Sequence, residues 1–412
     1  MITPTQVHLG TQVALAVLLL SNASVWAQTA APAAGEWASF RGPTHNGIST
    51  EKGLNTQWPK EGPKPLWKIN VGAGYASVTV SGGKIFTMGN GGGQDTIYCL
   101  DATTGNEVWK HTYACASDEH YPGPRSAPVV DGGKVYSLSR KGDIYCLDAA
   151  KGGELWSKKA KDFGAKNPQW DISGSPLVYG QLVIFNLNAH GVALDKNTGA
   201  EAWKSAAGRS GYATPVPFEM GGVKGVAIFG AKNLVGVNPV DGKALWSQEW
   251  VTSYDVNAAD PVFEGDKAFV TSGYNRGGAA LQIKDGKAAV LWENKEIASH
   301  GASPVVLDGH IYGTTGQYGS PGALKCMELN TAAVKWTRPG LGGSLVMVDG
   351  KLIVLTYRGK VVVVEASPTG YKELANAQVL GGTCWTVPTY ASGKLYCRNK
   401  EGTLVCLDLN SK

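Results

Sequence analysis

Long apolar runs are missing from this 412-residue chain: none approaches the about 20 residues that a helix needs to cross a bilayer, so no membrane span is expected in the mature protein. Also missing are HExxH, GxSxG and a Walker loop, which removes the zinc-protease, serine-hydrolase and P-loop readings. No CxxC spacing occurs, so no zinc ribbon or thioredoxin-type redox pair is available, and the lack of CxxCH excludes a c-type haem. Lys and Arg form no cluster with interleaved aromatics, and the net charge is only +5; a nucleic-acid partner is not expected. The 3.6-residue period of a helical repeat is absent from the Val- and Tyr-rich runs.

Charged residues are absent altogether from positions 1–27. There, residues 13–20 form a short apolar core and Val25-Trp26-Ala27 offers small residues at a cleavage-type spacing, so the segment reads as a secretory signal removed after Ala27, although no Lys or Arg precedes the core. No Cys follows the core, so a lipid anchor is not expected. The mature protein is expected to be soluble, monomeric, and periplasmic or secreted. Seven Cys is an odd number. Cys99, Cys146 and Cys406 share one place in a repeated YCLD or VCLD phrase; equivalent places in neighbouring stacked sheets lie about 10 Å apart, too far for a disulfide. They read as buried packing thiols.

What the chain has in excess is Gly, 55 residues, and Trp, 13 residues, the composition of many short strands joined by tight turns. The tryptophans recur: Trp67, Trp109, Trp156, Trp203, Trp246, Trp292 and Trp336 follow one another at intervals of 42 to 47 residues. A degenerate eighth copy, VVVVEASPTGYKEL, places Leu374 roughly where the tryptophan belongs. Eight opening phrases, from YASVTV at Tyr75 to WTVPTY at Trp385, give the same number. Each unit reads as four short antiparallel strands, and a four-stranded sheet of about 45 residues repeated radially is a β-propeller blade. The last unit stops three strands in, whereas PLWKIN at residues 65–70 is a fourth strand with no unit before it. Joining them completes blade 8 and closes the ring. The expected architecture is therefore all-β: a signal peptide at 1–27, an N-terminal extension at 28–64, and an eight-bladed propeller over 65–408.

Asp and Trp recur for structural reasons. The Asp accepts backbone N–H groups across the turn between third and fourth strands, where Gly supplies positive φ, and the Trp packs flat between sheets. The copies decay in step, with Asp101, Asp148 and Asp195 giving way to Asn238, Lys284 and Glu328.

The copies of LDxxTGxxxW, such as LDATTGNEVW (100–109) and LDKNTGAEAW (194–203), resemble the tryptophan-docking motif of the eight-bladed quinoprotein propellers, the family of pyrroloquinoline quinone (PQQ)-dependent alcohol dehydrogenases. The family also has non-catalytic members, among them the propeller lipoprotein of the outer-membrane barrel-assembly machinery. WASFRGPTHNGIS at 37–49 is similar to the opening of other PQQ-like propeller proteins. For an enzyme, the resemblance implies PQQ with Ca²⁺ as cofactor and oxidation of an alcohol or sugar. This chain lacks the adjacent cysteines of those enzymes and any clear Glu, Asn and Asp set; Asn257 and Asp260 in SYDVNAADPV are the nearest thing.

A propeller binds at the mouth of its central channel, lined by the loops that enter the innermost strands. The irregular loops here, including 111–126, 162–175, 250–260 and 294–303, point to Arg125, Trp170, Tyr212, Asn257, Asp260, His300 and Trp385. Each has a structural use as well: Arg125 on channel carbonyls, Trp170 and Trp385 as caps of the core, His300 on a loop backbone. Together they suit a planar anionic ligand or a sugar, through stacking and bidentate pairing. The leading expectation is an exported module that binds a small molecule or a protein at the channel mouth. A PQQ-dependent dehydrogenase and an envelope-assembly scaffold are the alternatives.

Overall fold

The computed structural model describes Met1, residues 35–117 and residues 120–410; the rest of the expected signal segment, 2–27, lies outside them. Eight antiparallel sheets succeed one another along the chain, and the described residues contain only two short 3-10 turns, Ala160–Phe163 and Ser253–Asp255. Blades 1 to 7 occupy residues 79–114, 129–159, 177–204, 216–249, 262–294, 305–339 and 343–378. Blade 8 takes its first three strands from 389–408 and its fourth from Pro65–Asn70. First strands of neighbouring blades touch, as between blades 1 and 2, 2 and 3, 5 and 6, 6 and 7, and 7 and 8, so they line the axis, and the fourth strands lie outermost. The chain is an eight-bladed β-propeller.

Pro65–Asn70 runs antiparallel to Thr403–Asp408, with Trp67 opposite Cys406. Beside this seam the buried Arg398 donates from Nη1 to the carbonyl of Ala76 at 2.9 Å and from Nη2 to that of Gly72 at 2.8 Å, tying blade 8 to the segment that leads into blade 1. All seven cysteines are buried and unbridged.

The repeat is the joint between blades. Asp101 Oδ1 accepts the backbone N–H groups of Thr103 and Thr104 at 2.9 and 2.8 Å, and Asp195 holds Asn197 and Thr198 in the same way. These bonds fix the turn so that Gly105, at φ +75°, lies against the Trp67 ring: a Cβ there would sit 2.8 Å from an indole carbon. Gly152, Gly199 and Gly242 meet Trp109, Trp156 and Trp203 likewise. Six of the seven indole N–H groups also donate to a carbonyl of the next blade, from Trp67 to Ala102 through Trp336 to Ser367. Trp246 has no such partner. Blade 5 joins its third and fourth strands by a two-residue Asp285-Gly286 turn, with Lys284 paired to Lys287, and that tight turn lacks the carbonyl the longer turns supply.

In blade 7 the register differs from the sequence reading. Ala375, not Leu374, faces Val363 just before the bulge, the place that Trp109 takes opposite Cys99 in blade 1. Ala375 is too small to dock, and Trp58 from the N-terminal extension packs into the cluster that holds both Leu374 and Ala375.

That extension does more than precede the ring. Trp37 exchanges two backbone hydrogen bonds with Val80 in the first strand of blade 1, and the Ala38 carbonyl accepts from Val130 in that of blade 2. Arg41 donates to the Pro304 carbonyl at the entry to blade 6, and Ile48–Ser49 run parallel to the first strand of blade 7. Residues 36–49 thus occupy the channel, touching four blades. The segment enters and leaves past the turns between first and second strands, where Glu36 accepts from Gly82 and Glu51 accepts from Ser392 and Gly393. One end of the channel is therefore closed.

Candidate functional site

At the entries to blades 3, 4, 5 and 6 a polar residue stands just before a proline, which favours extended backbone there, and its side chain accepts from the backbone of the preceding blade's entry. Ser175 Oγ accepts from Ala127 N at 2.9 Å, Thr214 Oγ1 from Ser175 N at 3.1 Å, Asp260 Oδ1 from Thr214 N at 2.9 Å, and Ser303 Oγ from Asp260 N at 2.8 Å. This girdle runs from blade 2 to blade 6. Its position takes Ser or Thr in three blades and Asp in one, which sets Asp260 apart.

Above the girdle opens a cavity of about 450 Å³, within the range of small-molecule sites. Phe40, from the plug, is part of its lining; Ser175, Thr214 and Asp260 contribute polar atoms, and seven of the eight connections between blades reach it. Around it the aromatic rings touch in series. Tyr274 meets His300 at 5.1 Å between centroids, His300 meets Tyr318 at 4.7 Å, and Tyr318 stacks on Trp385 at 4.5 Å and 13°. Trp385 then contacts Tyr75 at 5.6 Å and Tyr121 at 6.2 Å, and Tyr121 meets Trp170 edge-on at 5.7 Å. Tyr212 completes the series by accepting from the Trp170 backbone N–H at 3.2 Å. Trp170 keeps 39% of its surface exposed.

Burial leaves this belt uncharged at neutral pH. It pushes the His300 imidazole down to about 4, and Nδ1 of His300 accepts from the Tyr318 N–H, which places the ring proton on Nε2. Burial raises the phenols of Tyr75, Tyr212, Tyr274 and Tyr318. Burial also lifts Asp260 to about 6, opposed by the charge of Arg41 beneath it and by the Thr214 N–H. Arg41 is 1% exposed, and its Nε and Nη1 have no hydrogen-bond partner. His45, beside it in the channel, is pushed down to about 4 by burial and by that guanidinium.

Six of the seven residues singled out from the sequence line the cavity: Arg125, Trp170, Tyr212, Asp260, His300 and Trp385. Asn257 does not. It is fully buried, its Nδ2 donating to the carbonyls of Gly230, Ala231 and Trp250 and its Oδ1 accepting from Thr252 and Ser272, so its side-chain amide is spent on holding the connecting loop against blades 4 and 5. The sequence reading missed Tyr274 and Tyr318, which stand on hairpins between second and third strands. Those hairpins open on the same face as the blade connections; the Tyr318 connection, 316–322, is the longest of its kind and was an available signal, whereas the Tyr274 connection, 273–276, has an ordinary length. It also missed Asp171, next to Trp170, which is held in the left-handed region at φ 62° by Arg140 and Lys141.

PQQ, a planar tricarboxylate, is the cofactor that the resemblance implies, with Ca²⁺. The lining offers one guanidinium, Arg125, and one carboxylate, Asp260, and its flattest aromatic pair, Tyr318 and Trp385, is stacked on itself and leaves no slot between the two rings. No group of three or more His, Cys, Asp or Glu placed to hold a metal ion occurs among the described residues. The residues present do not fit the pair.

Fold and repeat together define a PQQ-like propeller. The chain belongs to the family described as outer membrane protein assembly factor BamB, which matches residues 93–338. Among solved structures it is similar to BamB from Moraxella catarrhalis, at 15% identity and a TM-score of 0.63, over 85% of this chain and 98% of that one. A europium-containing methanol dehydrogenase matches at 14% identity and 0.67, over 90% and 89%. The quinohemoprotein alcohol dehydrogenase ADHIIG from Pseudomonas putida HK5 matches at 14% and 0.63, over 92% and 81%. Likeness at these identities is likeness of fold. No curated protein sequence matches the chain. No helix among the described residues is long and apolar enough to cross a membrane.

Proposed function

We propose that this protein is an exported binding module, delivered to the periplasm or beyond by residues 1–27, whose 65–408 propeller captures a sugar at the channel mouth. The carrying observation is the blind cavity rimmed by a near-continuous aromatic belt with Trp170 exposed at its edge. A sugar ring offers apolar C–H faces to aromatic rings and hydroxyls to the short polar groups of the girdle, and this cavity supplies both. Arg125, Trp170, Tyr212, Asp260, His300 and Trp385 are the residues assigned to contact. A planar ligand needs two parallel free faces, and here the parallel faces cover each other. Titration of the purified mature protein with mono- and oligosaccharides, followed by tryptophan fluorescence and calorimetry, tests the reading. Saturable binding that Trp170→Ala weakens about tenfold is the expected result, the loss of one stacking contact; binding that ignores the substitution removes the cavity from consideration.

Family membership favours a second reading, in which a protein segment docks at the same mouth. Tyr254, 61% exposed and edge-on to Tyr274, extends the belt outward on the blade 4 to blade 5 side. Co-purification from envelope extracts with wild type and with Tyr254→Ser separates the two.

A further inference from the structure

The wall of the cavity is not equally high all round. Blades 6 and 7 are joined by only Gly340, Leu341 and Gly342, whereas the connections on the opposite side run through the irregular loops that carry Tyr121 and Trp170. The short link is enforced by packing: a Cβ on Gly342 would lie 2.8 Å from the Pro321 carbonyl oxygen. Across this low point Trp385 alone belongs to the lining on both sides, facing the aromatic cavity on one and a second hollow of about 820 Å³ on the other.

The second hollow has the opposite chemistry. It is lined by Arg338, Arg358 and Lys360, with Glu373 its only carboxylate. Glu373 is already engaged, accepting from the Tyr371 hydroxyl at 2.6 Å and from Asn376. Arg338 is held over the Tyr371 ring, 5.3 Å from its centroid. The Gln378 side chain donates to the Arg358 and Leu380 carbonyls, fixing the backbone of the turn that carries Arg358. Three cations thus gather on one side of a tryptophan whose other side faces a mainly aromatic cavity with a single guanidinium, Arg125, and a single carboxylate, Asp260.

We infer that the two hollows form one extended site for an acidic glycan: a sugar unit sits in the aromatic cavity, the chain crosses Trp385, and a sulfate or carboxylate on a neighbouring unit is held by Arg358 and Lys360, with Arg338 behind them. This rests on the sugar reading of the cavity and adds the ligand's charge and direction. A neutral sugar uses only the cavity. An anion without a sugar body uses only the basic hollow, and weakly, because exposed cations alone are screened by salt.

The test is an array of neutral oligosaccharides printed beside their sulfated and uronate-containing counterparts, probed with wild type and with an Arg358→Glu/Lys360→Glu double variant, polyglutamate serving as a non-sugar anion. The expected result is binding of acidic members about tenfold tighter than their neutral counterparts, a preference that falls with added salt and disappears in the double variant. Retained binding of neutral members by that variant shows that it is folded. Equal binding of neutral and acidic members overturns the extended site and leaves the cavity reading standing. Acidic binding that survives the double variant, or polyglutamate binding as well as the glycans, overturns it as well. If acidic members bind but Trp170→Ala and Trp385→Ala change nothing, the cavity reading fails and the extended site with it.

Discussion

Nε of Arg140 donates to Oδ2 of Asp171 at 2.8 Å, from a guanidinium that is almost wholly buried. Lys141 donates to the other oxygen at 2.9 Å. Together they hold the residue after Trp170 in a left-handed turn and so aim the exposed indole at the rim. Burial tends to raise the Asp171 carboxyl, but the bonds from Lys141 and Arg140 outweigh it and keep the group below the usual carboxylate range.

Asp171→Asn therefore leaves the Arg140 charge buried without its counter-ion. Because Asn also accepts a left-handed backbone, the change isolates the charge; it should lower stability by about 3 kcal/mol, read as a shift in urea midpoint at unchanged slope. A depressed carboxyl stabilises the fold above its unfolded pKa. Wild type should lose this contribution as pH falls below about 4, and the variant should not show that step.

Asp260 has the opposite sign. Its folded pKa of about 6 lies above the ordinary carboxylate value, so its contribution favours the fold below the unfolded pKa and is lost as pH rises through about 6. Asp260→Asn keeps an acceptor for Thr214. It should raise stability at neutral pH by on the order of 3 kcal/mol, seen as a higher melting temperature, and leave a flatter profile between about pH 4 and pH 6. A variant that melts lower at neutral pH than wild type would show that the charge is paired with Arg41 and stabilising.

Gly105→Ala puts a methyl group into the Trp67 ring at a positive φ, and should cost about 2 kcal/mol or more. Gly91→Ala, where a Cβ meets nothing within 4 Å, should stay within about 0.5 kcal/mol of wild type. Chemical denaturation of the two side by side separates docking from turn propensity.

Trp37→Ala removes the anchor of the plug, a side chain 2% exposed, and should cost about 3–5 kcal/mol. A chain beginning at residue 71 loses the closing strand as well. Its expected behaviour is aggregation through the open edge of blade 8, seen by size exclusion, without a cooperative melt.

The ring itself was legible because its signal is repeated: eight phrases, seven tryptophans and two complementary ends all report one unit. The cavity was half legible for the same reason, since the irregular loops are what the repeat leaves over. Tyr274 and Tyr318 were hidden because their hairpins look like blade turns until the face they open on is known. Asn257 misled because a buried amide that satisfies a loop and one that meets a ligand have the same neighbours in sequence. The Ala375 register turned on a one-residue bulge, which no spacing rule resolves when the tryptophan is gone. The course of WASFRGPTHNGIS through the channel depends on contacts with blades more than 250 residues away, such as Arg41 with Pro304.

In a repeat protein each unit ordinarily feels only its two neighbours, so disorder can start in one and spread stepwise. Residues 36–49 break that locality. By bonding to blades 1, 2, 6 and 7 at once, they act as a spoke between two pairs of blades, 1–2 and 6–7, that share no face with each other, and loosening one pair must also withdraw support from the other. Hydrogen exchange at the first strands of those blades should then report a single shared opening, while blades 3, 4 and 5 keep openings of their own.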